Sequence, residues 1–131
     1  DHVKPYDLVV MEEANRLCPF NILHICDYHD DYDDLIPFVD YPADVVNCAL
    51  DVADRKATAR EMADLFSRPY MGGLDQHGTI ATGTADEIRE AVRDLVARAP
   101  ERYMLGAGCT VPSDTDWDNI RLAIAVAHGA D

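Results

Sequence analysis

In the run "ILHIC", His24 and Cys26 stand two residues apart and pair an imidazole with a thiol. Side chains two apart in an extended strand point to the same side, so both can reach one ion. Cys109 lies far down the chain in "GAGCTVP", where small residues keep the backbone open. One imidazole and two thiolates make a tetrahedral zinc set, and a catalytic zinc keeps its fourth position open for water or substrate. Asp51 is a candidate for that fourth position, or for a group that hydrogen-bonds a ligand from behind. The plainer alternative makes Cys26 and Cys109 small buried hydrophobes and His24 a hydrogen-bonded core histidine. Cys18 and Cys48 are expected to be core residues of that kind.

Two other segments carry polar groups at suggestive spacing. "GGLDQHGTIATG" reads as a glycine-rich turn and irregular loop that lets a substrate come close to backbone, with Gly72, Gly73, Asp75 and His77 as candidate substrate-loop residues. It has neither a phosphate-loop lysine nor the three-glycine dinucleotide fingerprint. "DYHDDYDD", which contains His29, lacks the central glycine and terminal glutamate of a calcium loop, and reads as a solvated loop leading to a helix N-terminus.

The elements that would position these residues follow from periodicity. "YDLVVMEEANRL" places Leu8, Met11, Ala14 (or Asn15) and Leu17 at helical spacing. "FNILHI" (20–25) and "ADVVNCAL" (43–50) are short, continuous apolar runs of the kind found in strands buried on both faces. Between them only a short helix fits, limited by Pro37. Thr58 can cap "AREMADLFSR", with Met62, Leu65 and Phe66 on one face. A third strand over 69–73 precedes a helix that opens with Thr84 and Glu87 in capping-box spacing and carries Ile88, Val92, Leu95 and Ala99 on one stripe. A fourth strand (102–107) and a last helix with Ile120, Ala123, Ile124 and Ala127 inward complete the order. Alternation of this kind predicts a parallel α/β sheet with right-handed crossovers. It fits either a small open sheet or half of an eight-stranded barrel, whose usual length of about 250 residues is roughly twice this chain. In both, the carboxyl ends of the strands form the binding rim, where His24, Cys26 and Cys109 could meet.

Bulk properties narrow the partners. A chain of 131 residues with 48% hydrophobic content suits a single domain with a real core. Its formal charge of −14 and a pI near 4.4 argue against nucleic acid and anionic membrane surfaces. The apolar runs are strand-sized and no signal pattern opens the chain, which predicts a cytoplasmic protein with reduced cysteines. The start, "DHVKPYD", has no initiator methionine and enters a helical pattern at once, as expected for a piece of something longer.

With the strand ends laid out, the chain resembles the C-terminal half of the uroporphyrinogen decarboxylase superfamily. The resemblance rests on "ILHIC", "ADVVNCALD", "YMGGLDQHGTIATGTADEIREAV" and "YMLGAGCTVPSDTDWDNIRLAI". It implies an α/β fold of four βα units forming the C-terminal half of a TIM-type (β/α)8 barrel, with the site at the carboxyl face. Two chemistries occur in the superfamily. The decarboxylases act on the acetate side chains of uroporphyrinogen without metal or cofactor, and typically carry Gly-His where this chain has Gly108 and Cys109. The zinc methyltransferases that work with corrinoid proteins carry a His-x-Cys and a distant Cys as ligands, which His24, Cys26 and Cys109 match. There zinc holds a thiol substrate as thiolate, which attacks a corrinoid-bound methyl group. The resemblance thus implies Zn²⁺, a corrinoid partner protein and thiol methylation, with tetrapyrrole decarboxylation or a non-catalytic folding module as alternatives. The N-terminal half of the barrel has no counterpart here, so the chain alone is expected to be inactive. A half-barrel also leaves two unpaired edges and an inner face, containing Val46, Met71 and Leu105 or their neighbours. This predicts a homodimer or closure by the missing half.

Overall fold

The computed structural model describes residues 2–27, 29 and 32–130. Helix α1 (Lys4–Leu17) leads into β1 (Ile22–His24), a short 3-10 helix (Ile36–Phe38) and β2 (Val45–Asn47). A hairpin, β3 (Asp51–Val52) and β4 (Arg55–Lys56), precedes α2 (Ala59–Phe66) and β5 (Tyr70–Leu74). The chain continues through α3 (Thr79–Thr82), α4 (Ala85–Arg98), β6 (Tyr103–Ala107) and α5 (Trp117–Ala127). β1, β2, β5 and β6 form one sheet in that order with every pairing parallel, as the alternation of elements predicts. This is an α/β architecture consistent with half of a (β/α)8 barrel. The small antiparallel hairpin was not legible in "DVADRK"; it lies outside the main sheet.

Register sorts the side chains into two faces. Leu23, Val46, Tyr70 and Tyr103 are paired across the four strands and pack with the helices, joined by Ile25, Cys48, Met62 and Phe66 in one core. A second core gathers Leu74, Ile88, Val92, Ala123 and Val126, with Leu105 against it. The adjacent row, His24, Asn47, Met71 and Met104, therefore faces the opposite way. Val46 and Leu105 thus turn toward the helices, and the inner face belongs to their neighbours Val45 and Met104 together with Met71.

Local chemistry explains the well-placed helices. Thr58 and Glu61, and again Thr84 and Glu87, satisfy each other's backbone N–H groups in reciprocal capping boxes. The paired glycines of β5 have a steric cause: Gly72 sits at φ +146°, and a Cβ there would run into the Tyr70 hydroxyl that lies beneath it. Tyr70 Oη donates to the Cys48 carbonyl at 2.8 Å, and Tyr103 Oη donates to the Gly72 carbonyl at 2.6 Å. Arg68, beyond α2, donates to the carbonyls of Val39, Tyr41, Ala43 and Phe66, fastening the segment that enters β2.

Several expectations change. "GTIAT" forms the short helix α3 rather than an irregular loop. α1 begins at Lys4, and only Leu8 and Met11 of its predicted stripe reach the core, while Leu17 is exposed. In α5 the buried pair is Ala123 and Val126, which leaves Ile124 exposed. Leu65 is likewise exposed.

Candidate metal centre

β1 is an edge strand, and its alternation sends His24 to the inner face while Leu23 and Ile25 go to the helix side. Cys26 follows at the carboxyl end, two residues on. Cys109 leaves the end of β6, the opposite edge of the sheet. Strands lie about 4.8 Å apart, so three spacings put these edges roughly 14 Å apart on a flat sheet. Yet one ligand atom from each of His24, Cys26 and Cys109 lies within 4.8 Å of the others. The turn after β6 shortens this gap, because Gly108 lies against the backbone of Ala49 beyond the end of β2 and so carries Cys109 back across the sheet toward β1.

The distances suit one ion. Cys26 Sγ and Cys109 Sγ are 3.6 Å apart, and Cys109 Sγ lies 3.7 Å from His24 Nε2. Zinc bonds of about 2.3 Å to sulfur and about 2.05 Å to nitrogen, at tetrahedral angles, place two sulfurs about 3.8 Å apart and a sulfur and nitrogen about 3.6 Å apart. Both contacts of Cys109 therefore match a tetrahedral ion, and His24 and Cys26 present their donor atoms within 4.8 Å of each other. His24 and Cys26 are exposed and Cys109 is buried. The other ring nitrogen, His24 Nδ1, lies 2.5 Å from Asn47 Oδ1. Asn47 is buried, and its Nδ2 donates to the carbonyls of Met71 at 2.9 Å and Ala107 at 3.0 Å.

The remaining predicted site residues lie elsewhere. Asp51 is not part of the donor group: β2 ends at Asn47, and the chain carries Asp51 into the hairpin, where it pairs with Lys56 at 3.6 Å. Gly72 and Gly73 are in β5; Asp75 Oδ1 accepts the His77 N–H at 2.9 Å in the following turn, and both side chains are exposed and outside the donor group. Of the other cysteines, Cys48 is core as expected, and burial pushes its thiol up to about 12, so it remains protonated at neutral pH. Cys18 is exposed, contrary to expectation, because α1 ends beyond the core. The acidic segment departs from a solvated loop at Asp27, which is buried and accepts the Tyr32 N–H at 3.2 Å. His29 is exposed, while Tyr28, Asp30 and Asp31 lie outside the described residues. Sequence reasoning missed Asn47. The signal available was a lone carboxamide inside the apolar run "ADVVNCAL", a buried polar group that must find partners.

Fold and site together define a parallel βα sheet with a His, Cys, Cys donor set at its carboxyl rim. The family model described as "Uroporphyrinogen decarboxylase (URO-D)" matches residues 1–130, and the chain belongs to that family. No curated protein matches the chain. Among the described residues, no helix is long and apolar enough to cross a membrane.

Proposed function

We propose that this chain is the metal-holding half of a zinc-dependent methyltransferase, in which a thiol accepts a methyl group from a corrinoid carried by a partner protein. The observation that carries the reading is the convergence of His24, Cys26 and Cys109. These three residues would hold the ion, and the remaining coordination position would be open to substrate. A zinc ion so bound lowers the pKa of a thiol and makes it a nucleophile at neutral pH. The chain's own part is to present two thiolates and a neutral imidazole from one wall. The outer edges of β1 and β6 pair with no further strand among the described residues, which supports closure by an N-terminal half-barrel or by a second copy.

The second reading, decarboxylation of a tetrapyrrole, is favoured by the description of the family. Against it, the inner row His24, Asn47, Met71 and Met104 carries no lysine or arginine to meet several substrate carboxylates. Cys109 also stands where the decarboxylases it resembles have histidine.

The deciding experiment is anaerobic purification followed by metal analysis and assay with methylcobalamin and a small thiol. The expected result is about one zinc per chain, lost in Cys109→Ser, and thiol-dependent demethylation once the barrel is complete. A wild-type chain that takes up no zinc, or one that consumes uroporphyrinogen instead, would overturn the reading.

A further inference from the structure

A donor set is useful only if its imidazole offers a lone pair to the right atom. The orientation of Asn47 decides this for His24. Both Nδ2 protons of Asn47 are committed, one to the Met71 carbonyl and one to the Ala107 carbonyl. Turning the carboxamide over would aim its oxygen at two carbonyl oxygens, which cannot donate, and leave buried acceptors facing one another. Asn47 Oδ1 must therefore face His24, and it can only accept. The proton of the neutral imidazole then sits on Nδ1, and the lone pair sits on Nε2, the nitrogen 3.7 Å from Cys109 Sγ.

The same side chain acts at the other edge of the site. Ala107 ends β6 two residues before Cys109, so the bond from Asn47 holds the backbone that delivers the second thiol. Asn47 stands on β2 and reaches across β5 to β6, tying together three strands of the inner face. We infer that Asn47 is the positioning residue of this centre: it fixes the His24 tautomer and braces the strand end that carries Cys109, so that the site binds a divalent thiophilic ion through Nε2 and two sulfurs. The inference rests on the zinc reading above for its purpose, though not for its geometry.

Two measurements test it. The first needs no variant: long-range nitrogen–proton NMR correlation of the metal-free wild type is expected to show His24 as the Nδ1–H tautomer, and an Nε2–H tautomer overturns the inference. The second compares Asn47→Leu with wild type by competition against a chromophoric chelator for Zn²⁺ and by the thiolate charge-transfer band of the Co²⁺ form. Loss of such a hydrogen bond is expected to weaken Zn²⁺ binding about 10- to 100-fold. In a His24→Ala background the same substitution should weaken it less, by the part that comes from bracing the Cys109 strand end alone, whereas a role confined to that bracing would act equally in both backgrounds. If Asn47→Leu does not fold, Asn47→Thr, closer in volume to the wild type, serves in the same cycle. Wild-type affinity in the folded variant refutes the positioning role and leaves the zinc reading intact. A wild type that binds no zinc refutes the zinc reading, while the tautomer result still decides whether Asn47 orients His24.

Discussion

Replacing Arg68 should be among the most damaging single changes outside the donor set. Its guanidinium donates to the carbonyls of Tyr41 at 2.8 Å and of Ala43, Val39 and Phe66 at 3.1 Å each. These tie the turn after the 3-10 helix to the end of α2, and Pro69, the next residue, accepts the Val46 N–H at 3.0 Å. Lysine keeps the charge but offers a compact ammonium, which cannot reach carbonyls spread over two segments. A hydrogen bond to a charged group contributes about 1.5 to 3 kcal/mol, and water can replace part of the loss because Arg68 is only half-buried. Losing two of four bonds in Arg68→Lys should cost about 2 kcal/mol, and losing all four in Arg68→Met about 4 kcal/mol. In urea denaturation the midpoint should fall with an unchanged slope, and the Val46 amide should exchange faster with solvent. An Arg68→Met midpoint within error of wild type, with Val46 still protected, would refute the fastening role.

Three further outcomes are expected. Burial raises Tyr103 to about 12 and Tyr70 higher still, against an ordinary 10.0. The unfolded chain therefore loses these protons first, so stability should hold up to about pH 10 and decline between pH 10 and 12, less steeply in Tyr103→Phe, as followed by circular dichroism. Thr84→Ala removes one side of a capping box and should cost about 1 kcal/mol in urea denaturation. In the metal-free chain a mild disulfide oxidant should join Cys26 to Cys109, whose sulfurs are 3.6 Å apart, and abolish Zn²⁺ uptake; peptide mapping that finds Cys48 in the crosslink instead would contradict the geometry.

The sheet and its helices were legible because their signals are local. Continuous β-branched runs, a threonine cap at Thr58, a capping box at Thr84 and Glu87, and one glycine pair each have a short-range physical cause. The donor set was legible in part: strand alternation alone places His24 and Cys26 together, while the meeting with Cys109 depended on which rim the fourth strand reaches. Facing was harder. Strands covered on both sides show no alternation, so Val46 and Leu105 could not be told from Val45 and Met104 by composition. Asp51 is held in a two-residue strand and paired with Lys56 rather than gathered with the three donors, and such short pairings leave almost no pattern. Asn47 required knowledge of two backbone carbonyls and one imidazole on three other strands, which only tertiary structure supplies.

The donor atoms of His24 and Cys109 are 85 positions apart and come from one edge strand and from the turn that follows the other. An ion held between them would act as a staple that closes most of the chain into one loop, so its release could not be a local event. Ligand that binds only the folded chain adds stability in proportion to the logarithm of its concentration over its dissociation constant. Metal supply would then set how long the two edges stay tied. A chelator should speed the unfolding of β1 and β6 together, the two edges parting as one cooperative step.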